Sequence, residues 1–447
     1  MPIVNFIRLN EPWRADPYSD PNLGMLYVIA TMRNLKINGE PVHVTFTDMA
    51  HEKEISSADV FALSSCTLDY PETVRIAQRI KDTYNKPIIV GGPHFDAISE
   101  IDWKQELPNI PINYICRGEG ETTIEEALQK SLSNPTEKAI ITQKVPLLDL
   151  DTVPLPAIDV LDKEKYFKEG RAFAGNIFKK GNSATMMTSR GCPFLCSFCA
   201  SPALHHKRVR FRTIENIRME LELLQRDYNV TEIRFQDDCF TINDRRFEEL
   251  TDLLEHSQIN YRCSMRVDQV EDKTLKNLWR GGCREVGFGI ESAEDHVLKL
   301  LNKKTTVDLN RKGIFKTKEA GFRTRAFMMT GLPGETKDSA KAMIDFLEET
   351  QPDVVTLTSF MPLPGSDIYN HPEKYGVTIL DRDWKNYDIS IKWQSQVPFV
   401  HRISTATIEE MEVNRELLKE YLFNKKKSNI STYNKEYTSD VLHKHTL

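Results

Sequence analysis

Cys192, Cys196 and Cys199 lie in the run Ser189-Arg-Gly-Cys-Pro-Phe-Leu-Cys-Ser-Phe-Cys199, a C-x3-C-x2-C spacing at the end of an apolar stretch. Thiolates are the ligands that iron–sulfur clusters prefer, and a cubane held by only three of them leaves one iron open to a ligand from outside. A four-cysteine site is closed and only carries electrons. The same thiols with His205 or His206 could instead make a Cys3His zinc site, which needs four N or S ligands in a tetrahedron. Such sites usually combine two closely spaced pairs, and this chain has no second pair. A chain of 447 residues also buries large cores without a metal staple. The spacing therefore predicts an iron–sulfur loop with an open iron.

The other five of the eight cysteines, Cys66, Cys116, Cys239, Cys263 and Cys283, sit mostly on apolar, strand-like segments and read as small buried hydrophobes. Cys239, beside Asp237 and Asp238, is the one placed to touch a ligand. With 40% hydrophobic residues the chain has the composition of a folded protein. Its net charge of −6 argues against a broad nucleic-acid surface, which leaves a small molecule or another protein as the expected partner. No stretch approaches the roughly 18–20 apolar residues of a membrane span. The N-terminal Met-Pro-Ile-Val-Asn-Phe reads as a strand rather than a charged signal region, so a cytoplasmic location is expected.

The cysteines need a scaffold, and β-α alternation supplies one. Residues 1–140 alternate strands (Pro2–Arg8, Val42–Phe46, Ala58–Ser65, Pro87–Val90, Tyr114–Cys116) with helices (Leu23–Ile37, Pro71–Tyr84, about 121–131), the pattern of a Rossmann-like parallel sheet. A linker over 141–182 includes a proline-punctuated connector at 145–162 that cannot be helical at its centre. Over 183–395 six strand-like runs follow: Ala184–Ser189, Glu232–Gln236, Arg262–Arg266, Glu285–Gly289, Thr324–Thr330 and Val354–Ser359. Six β-α units predict a partial, TIM-like (β/α)6 barrel, with chemistry at the carboxyl ends of its strands. Residues 396–447 read as a helix from about Ser404, carrying Ile408, Met411, Leu418 and Leu422, that runs into Lys425-Lys426-Lys427 and a polar tail. The basic stretch His205–Arg212 reads as solvated.

With these signatures the chain resembles the radical S-adenosylmethionine (SAM) superfamily over roughly Ala184–Tyr369, and in particular its subgroup with an N-terminal cobalamin-binding domain. Besides the cysteine loop the resemblance rests on Glu232-Ile-Arg-Phe-Gln-Asp-Asp-Cys-Phe240, Arg266-Val-Asp268, Gly289-Ile-Glu-Ser292, Gly331-Leu-Pro-Gly-Glu335 and Pro362-Leu-Pro-Gly-Ser-Asp-Ile-Tyr369. It implies a [4Fe-4S] cluster on Cys192, Cys196 and Cys199, whose open iron is chelated by SAM. One electron then cleaves the sulfonium to a 5′-deoxyadenosyl radical. The needs of SAM assign Asp237 and Asp238 to its ammonium group and Glu291 and Ser292 to its ribose or amino acid end. Arg266 or Arg325 would meet its carboxylate, and Gly331 and Gly334 would let the backbone approach adenine. Phe194 and Phe198 would shield the cluster.

In the first domain Leu23-Gly24, Ser64-Ser65 and Gly91-Gly92-Pro93-His94 look like a cobalamin site. The D-x-H-x-x-G segment that supplies an axial histidine in many cobalamin proteins is missing, and Leu9–Asn22 holds no histidine. The function this implies is cobalamin-dependent methylation of an unactivated carbon in a small-molecule or peptide substrate, with flavodoxin or ferredoxin as electron donor. Oxidative cyclisation and rearrangement share the architecture. A non-catalytic redox protein would have no use for a SAM pocket.

Overall fold

Runs of β-branched and aliphatic residues set the first sheet, and the computed structural model describes residues 1–11, 14, 16–144, 147–172, 181–390 and 397–425 of the chain. Lys426, Lys427 and the expected polar tail lie outside these residues, as does the start of the proline-punctuated connector. The described residues form two compact units. The first comprises Met1–Lys165 with Asp383–Tyr387, the second Tyr166–Arg382 with the chain from Asp388 on.

The first unit is built on β1 (Ile3–Arg8), β2 (His43–Asp48), β3 (Val60–Ser64), β4 (Ile88–Gly91), β5 (Tyr114–Arg117) and β6 (Ala139–Thr142). Their order is β2-β1-β3-β4-β5-β6 and every pairing is parallel. Helices cover a sheet of this kind on both faces, which is why Val60–Leu63 is a continuous buried run. The chain goes out from β1 to β2 and returns past β1 to β3, so the order reverses between β1 and β3. At such a switch point the carboxyl ends of the strands open a ligand crevice.

The helix Leu23–Arg33 starts where the Asn22 side chain accepts from Met25 N, and it is shorter than its periodicity predicts. Asn38 and Gly39 take up positive φ and turn a small hairpin between Lys36–Ile37 and Glu40–Pro41. The short edge strand β6 escaped sequence reading because its alternation is brief. Helix Tyr70–Tyr84 buries Thr73, Ile76, Ala77 and Ile80, and Trp384 packs against the same core.

The second unit carries β7 (Asn182–Met186), β8 (Val230–Phe235), β9 (Asn260–Met265), β10 (Cys283–Glu291), β11 (Arg323–Thr330) and β12 (Val354–Ser359). They pair in strictly sequential order and all in parallel. Sequential parallel strands joined by right-handed helical crossovers curl into a barrel wall, here an open one. The helix Ile214–Tyr228 illustrates why the crossovers form. Thr213 caps it by accepting from Asn216 N, Ile217, Leu221 and Leu224 make its buried stripe, and Asn229 ends it in a left-handed conformation. The last described helix, Ile408–Lys425, starts at Ile408 rather than near Ser404, after the turn at Ser404–Ala406, and buries Met411 and Leu418. Among the described residues no helix is long and apolar enough to cross a membrane.

Candidate active site

The cysteine loop is fastened at both stems. Ser189-Arg190 pairs antiparallel with Arg210-Phe211, so the chain leaves and re-enters at one place. Gly191 has φ +95°, and a Cβ there would lie 2.1 Å from the Arg208 carbonyl oxygen, so only glycine lets the stems pass. Within the loop Cys199 N donates to the Cys196 carbonyl at 3.1 Å and Ser197 N to the Leu301 carbonyl at 2.9 Å. The Asn302 side chain donates to the Leu195 carbonyl at 2.6 Å.

All three thiols are half-buried. Burial pushes each of them up, Cys199 to about 12, while Arg266 pulls Cys192 and Cys196 down and Lys303 pulls Cys196 down. Bound iron would reverse that balance, since a coordinating thiol is deprotonated. Among the described residues no group of three or more His, Cys, Asp or Glu is gathered to hold a metal ion. What the loop offers is a soft, all-sulfur donor set, the chemistry that suits an iron–sulfur cluster.

Asp237 and Asp238, which follow β8, part ways. Asp237 is buried and accepts from Thr188 N at 3.0 Å, Thr188 Oγ1 at 2.6 Å and Ser189 Oγ. It clamps the segment that enters the cysteine loop, and its oxygens are fully engaged. The expected pair of acids on an ammonium group therefore narrows to Asp238. Asp238 is exposed, accepts from Ser201 Oγ at 2.7 Å, and its charge reaches Cys192 and Cys199.

Arg266, just past β9, grips Asp268 at 2.6 and 3.0 Å and stacks 3.8 Å above the Phe194 ring. It braces the aromatic wall of the loop. Arg325 lies elsewhere, which corrects its sequence assignment. It is the third residue of β11 and bonds Glu285 at 2.9 Å, a carboxylate also gripped by Arg323 at 3.1 Å. The carboxyl end of that strand, at Gly331, is six positions on, about 20 Å away. Cys239 is 2% exposed and donates to Gln269 Oε1 at 3.1 Å, so it offers nothing to a ligand.

Glu291 ends β10 with φ +66°, an unusual state for a side chain of this size, at a register shift between Gly289 and Glu291. Its carboxylate accepts from Lys303 Nζ at 2.9 Å, and both side chains are almost wholly buried. A Cβ on Gly289 would fall 2.4 Å from Glu291 Oε1 and 2.7 Å from Lys303 Nζ, so glycine makes room for the pair. Ser292 is 2% exposed, and its hydroxyl accepts from Glu294 N at 3.2 Å. Sequence reasoning missed Lys303. The only local signal was the turn-forming Asn302 before it.

The Gly331–Glu335 turn corrects another expectation. A Cβ on Gly331 would meet Phe399 at 2.5 Å, and one on Gly334 would meet Leu300 at 3.3 Å; both residues have positive φ. The glycines admit neighbouring side chains and a left-handed turn rather than a flat ligand. Glu335 closes the turn by accepting from Gly331 N at 2.8 Å, and His401 Nε2 donates to the Gly331 carbonyl at 2.8 Å. Burial pushes the Glu335 carboxyl up to about 8 from 4.5. Its contribution to stability is thus full below about pH 4.5 and is lost as the pH rises through about 8, because the folded chain holds a proton that the unfolded chain releases. Glu335→Gln is therefore expected to flatten the decline of melting temperature between about pH 5 and 8. Parallel wild-type and variant curves would show that this carboxyl ionises freely.

In the first unit Ser64, Ser65, Gly91 and Gly92 lie at the carboxyl ends of β3 and β4. Gly92 has φ +101°, and a Cβ there would sit 2.7–2.8 Å from Ser64 Oγ and the Ser65 backbone, so two loops meet through bare backbone. Asn22 Nδ2 reaches Ser64 Oγ at 3.4 Å. Gly24 is exposed, whereas Leu23 is 5% exposed and belongs to the core rather than to a ligand surface.

His94 is also corrected. Its ring is fully buried, 4.4 Å from Tyr70 and 5.1 Å from Trp384 between centroids, and bonds Thr67 Oγ1 at 3.1 Å. Burial holds it neutral, its pKa pushed down to about 3. It is a packed core residue. A network that sequence reading missed ties down the loop after β1: Arg8 bonds Asp48 at 3.0 Å and Glu11 at 2.6 Å, and Arg14 bonds Asp20 at 2.9 Å. The His51 ring lies 5.9 Å from that of Tyr18 of that loop, tilted by 48°.

Residues 186–347 match the radical SAM superfamily. The match starts in β7, ahead of the cysteine loop, and includes β8 to β11, so the part of the second unit that carries the cysteine loop is similar to a radical SAM domain. It is 29% identical over 389 residues to a protein of Pyrococcus horikoshii named as an uncharacterized methyltransferase, covering 82% of this chain and 81% of that one. It is 27% identical over 305 residues to the anaerobic magnesium-protoporphyrin IX monomethyl ester cyclase of Rubrivivax gelatinosus, 67% of this chain and 53% of the cyclase. Its fold is similar to that of TsrM from Kitasatospora setae, a radical S-adenosylmethionine methyltransferase solved with cobalamin and a [4Fe-4S] cluster. The TM-score is 0.60 at 16% identity, over 85% of this chain and 77% of that one.

Proposed function

We propose that this chain is a cobalamin-dependent radical SAM methyltransferase acting in the cytoplasm on an unactivated carbon of a small-molecule or peptide substrate. The observation that carries the reading is the set of three half-buried thiols on a loop fastened beside Asp238, Arg266 and the Glu291–Lys303 pair, at the carboxyl ends of the barrel strands. A [4Fe-4S] cluster there would supply the electron that cleaves SAM, and a corrinoid would supply the methyl group.

The chain's own residues do the rest. Cys192, Cys196 and Cys199 hold the cluster, and Phe194 and Phe198 keep water from it. Asp238 accepts from the SAM ammonium, and the Glu291-Ser292 turn shapes the ribose or amino acid end. In the first unit the bare backbone at Gly92, with Ser64, Ser65 and Gly91, suits the close approach of a corrinoid edge. The electron comes from a low-potential donor of the flavodoxin or ferredoxin type.

Kinship with a named methyltransferase favours methyl transfer. Kinship with the cyclase keeps oxidative cyclisation, or rearrangement, as the second reading. Product analysis separates them. A methylase of this kind uses two SAM molecules per turnover, one to restore the methyl carrier and one to make the radical. 5′-Deoxyadenosine and S-adenosylhomocysteine should therefore form in near-equal amounts, with the labelled SAM methyl recovered on the substrate. Turnover without corrinoid, giving deoxyadenosine and no homocysteine product, would leave the cyclase-type reading in its place.

A further inference from the structure

Lys303 is 6% exposed, yet it carries an ammonium group. An isolated charge at such a site is costly to bury, so the side chain has to be held by something that needs it there. Three features hold it. Its Nζ lies 2.9 Å from Glu291 Oε1. It also stands 5.8 Å from the centroid of Phe198, within the cysteine loop. The backbone around it is the platform on which that loop rests, since the Leu301 carbonyl accepts from Ser197 N at 2.9 Å and the Asn302 side chain donates to the Leu195 carbonyl at 2.6 Å. Asn302 and Lys304, on either side, both adopt positive φ, which points to a segment shaped around this one side chain.

The partner is equally constrained. Glu291 sits in a left-handed conformation at the register shift of β10, and Gly289 leaves space that the pair occupies. We infer that the Lys303–Glu291 pair is an oriented dipole whose positive end faces the cysteine loop, and that Lys303 is a positioning residue which raises the reduction potential of the cluster. This rests on the iron–sulfur reading proposed above. The orientation is read from the ammonium itself, which lies 5.8 Å from the centroid of Phe198 in the cysteine loop while the Glu291 carboxylate holds it from 2.9 Å. The physical cause is simple. Adding an electron makes the cluster more negative, a fixed cation in a poorly solvated site stabilises that state, and a fixed anion opposes it.

The sign of the effect makes the inference testable without substrate or turnover. Full-length protein reconstituted with iron and sulfide is titrated electrochemically, following the spin signal of the reduced cluster, beside iron analysis and melting temperature. Lys303→Met is expected to move the midpoint to more negative potential and Glu291→Gln to less negative potential, with iron content kept in both. Lys303→Arg, which keeps the charge, restores the wild-type value. A residue that only props up the loop would move both variants in one direction or shed iron from both, and either result overturns the inference. Midpoints unchanged in both variants overturn it too. If Lys303→Met fails to fold, Glu291→Gln and Lys303→Arg still decide the sign. Absence of iron and of any spin signal in the wild type would remove the cluster reading itself, a result distinct from a cluster with unshifted potential.

Discussion

Cys192→Ala, Cys196→Ala and Cys199→Ala are each expected to abolish SAM cleavage. The wild type, reconstituted under anaerobic conditions, should hold about four irons per chain, and each variant should lose the stable cluster. The reason is that three donors leave no reserve: a cubane whose fourth iron must stay open for SAM cannot borrow a ligand from a neighbour. The loss should come without unfolding. The stems are held by the Ser189–Phe211 pairing, and the loop centre by backbone bonds to Leu301 and Ile368, none of which involves a thiol. Melting temperatures of the apo-proteins should therefore agree, and Cys239→Ala, which removes a buried thiol bonded to Gln269, should keep its iron. Stoichiometric zinc with no iron uptake would refute the cluster.

The adjacent acids should fail in opposite ways. Asp237→Asn places an amide that both donates and accepts where Thr188 N, Thr188 Oγ1 and Ser189 Oγ all donate. Breaking a buried, charge-assisted set of this kind costs about 3–5 kcal/mol. For a domain of this size that lowers the melting temperature by on the order of 10 °C. Asp238→Asn touches an exposed carboxylate with one hydroxyl partner. It should leave stability within about 0.5 kcal/mol while weakening SAM binding about tenfold, or 1.4 kcal/mol. Calorimetry and a SAM binding isotherm on both variants decide the point. Equal losses of stability, or SAM affinity unchanged in Asp238→Asn, would remove Asp238 from the SAM site.

Much of the architecture was legible because it is written in short-range pattern. The α/β class, the six strand-like runs of the barrel and the Thr213 cap all follow from periodicity and turn chemistry within a dozen residues. The Cys192–Cys199 spacing is likewise local, and ligand chemistry interprets it without a fold. The errors fall where the deciding partner is remote. Which of Asp237 and Asp238 faces solvent depends on Thr188, 49 positions away, whose hydroxyl and backbone take up the first of them.

His94 stood in a glycine-proline turn that resembles a cobalamin site, and only the fold shows Tyr70 and Trp384 packed against its ring. Strand periodicity says which face of a sheet a side chain occupies but not how far along the strand the active end lies, so Arg325 was assigned to the wrong end of β11. By itself, then, the chain determined its three-cysteine loop and its two parallel sheets. Tertiary structure alone decided which charged groups surround that loop. Burial and pairing, which set the state of Asp237, Glu291, Lys303 and Glu335, come from segments that only folding brings together.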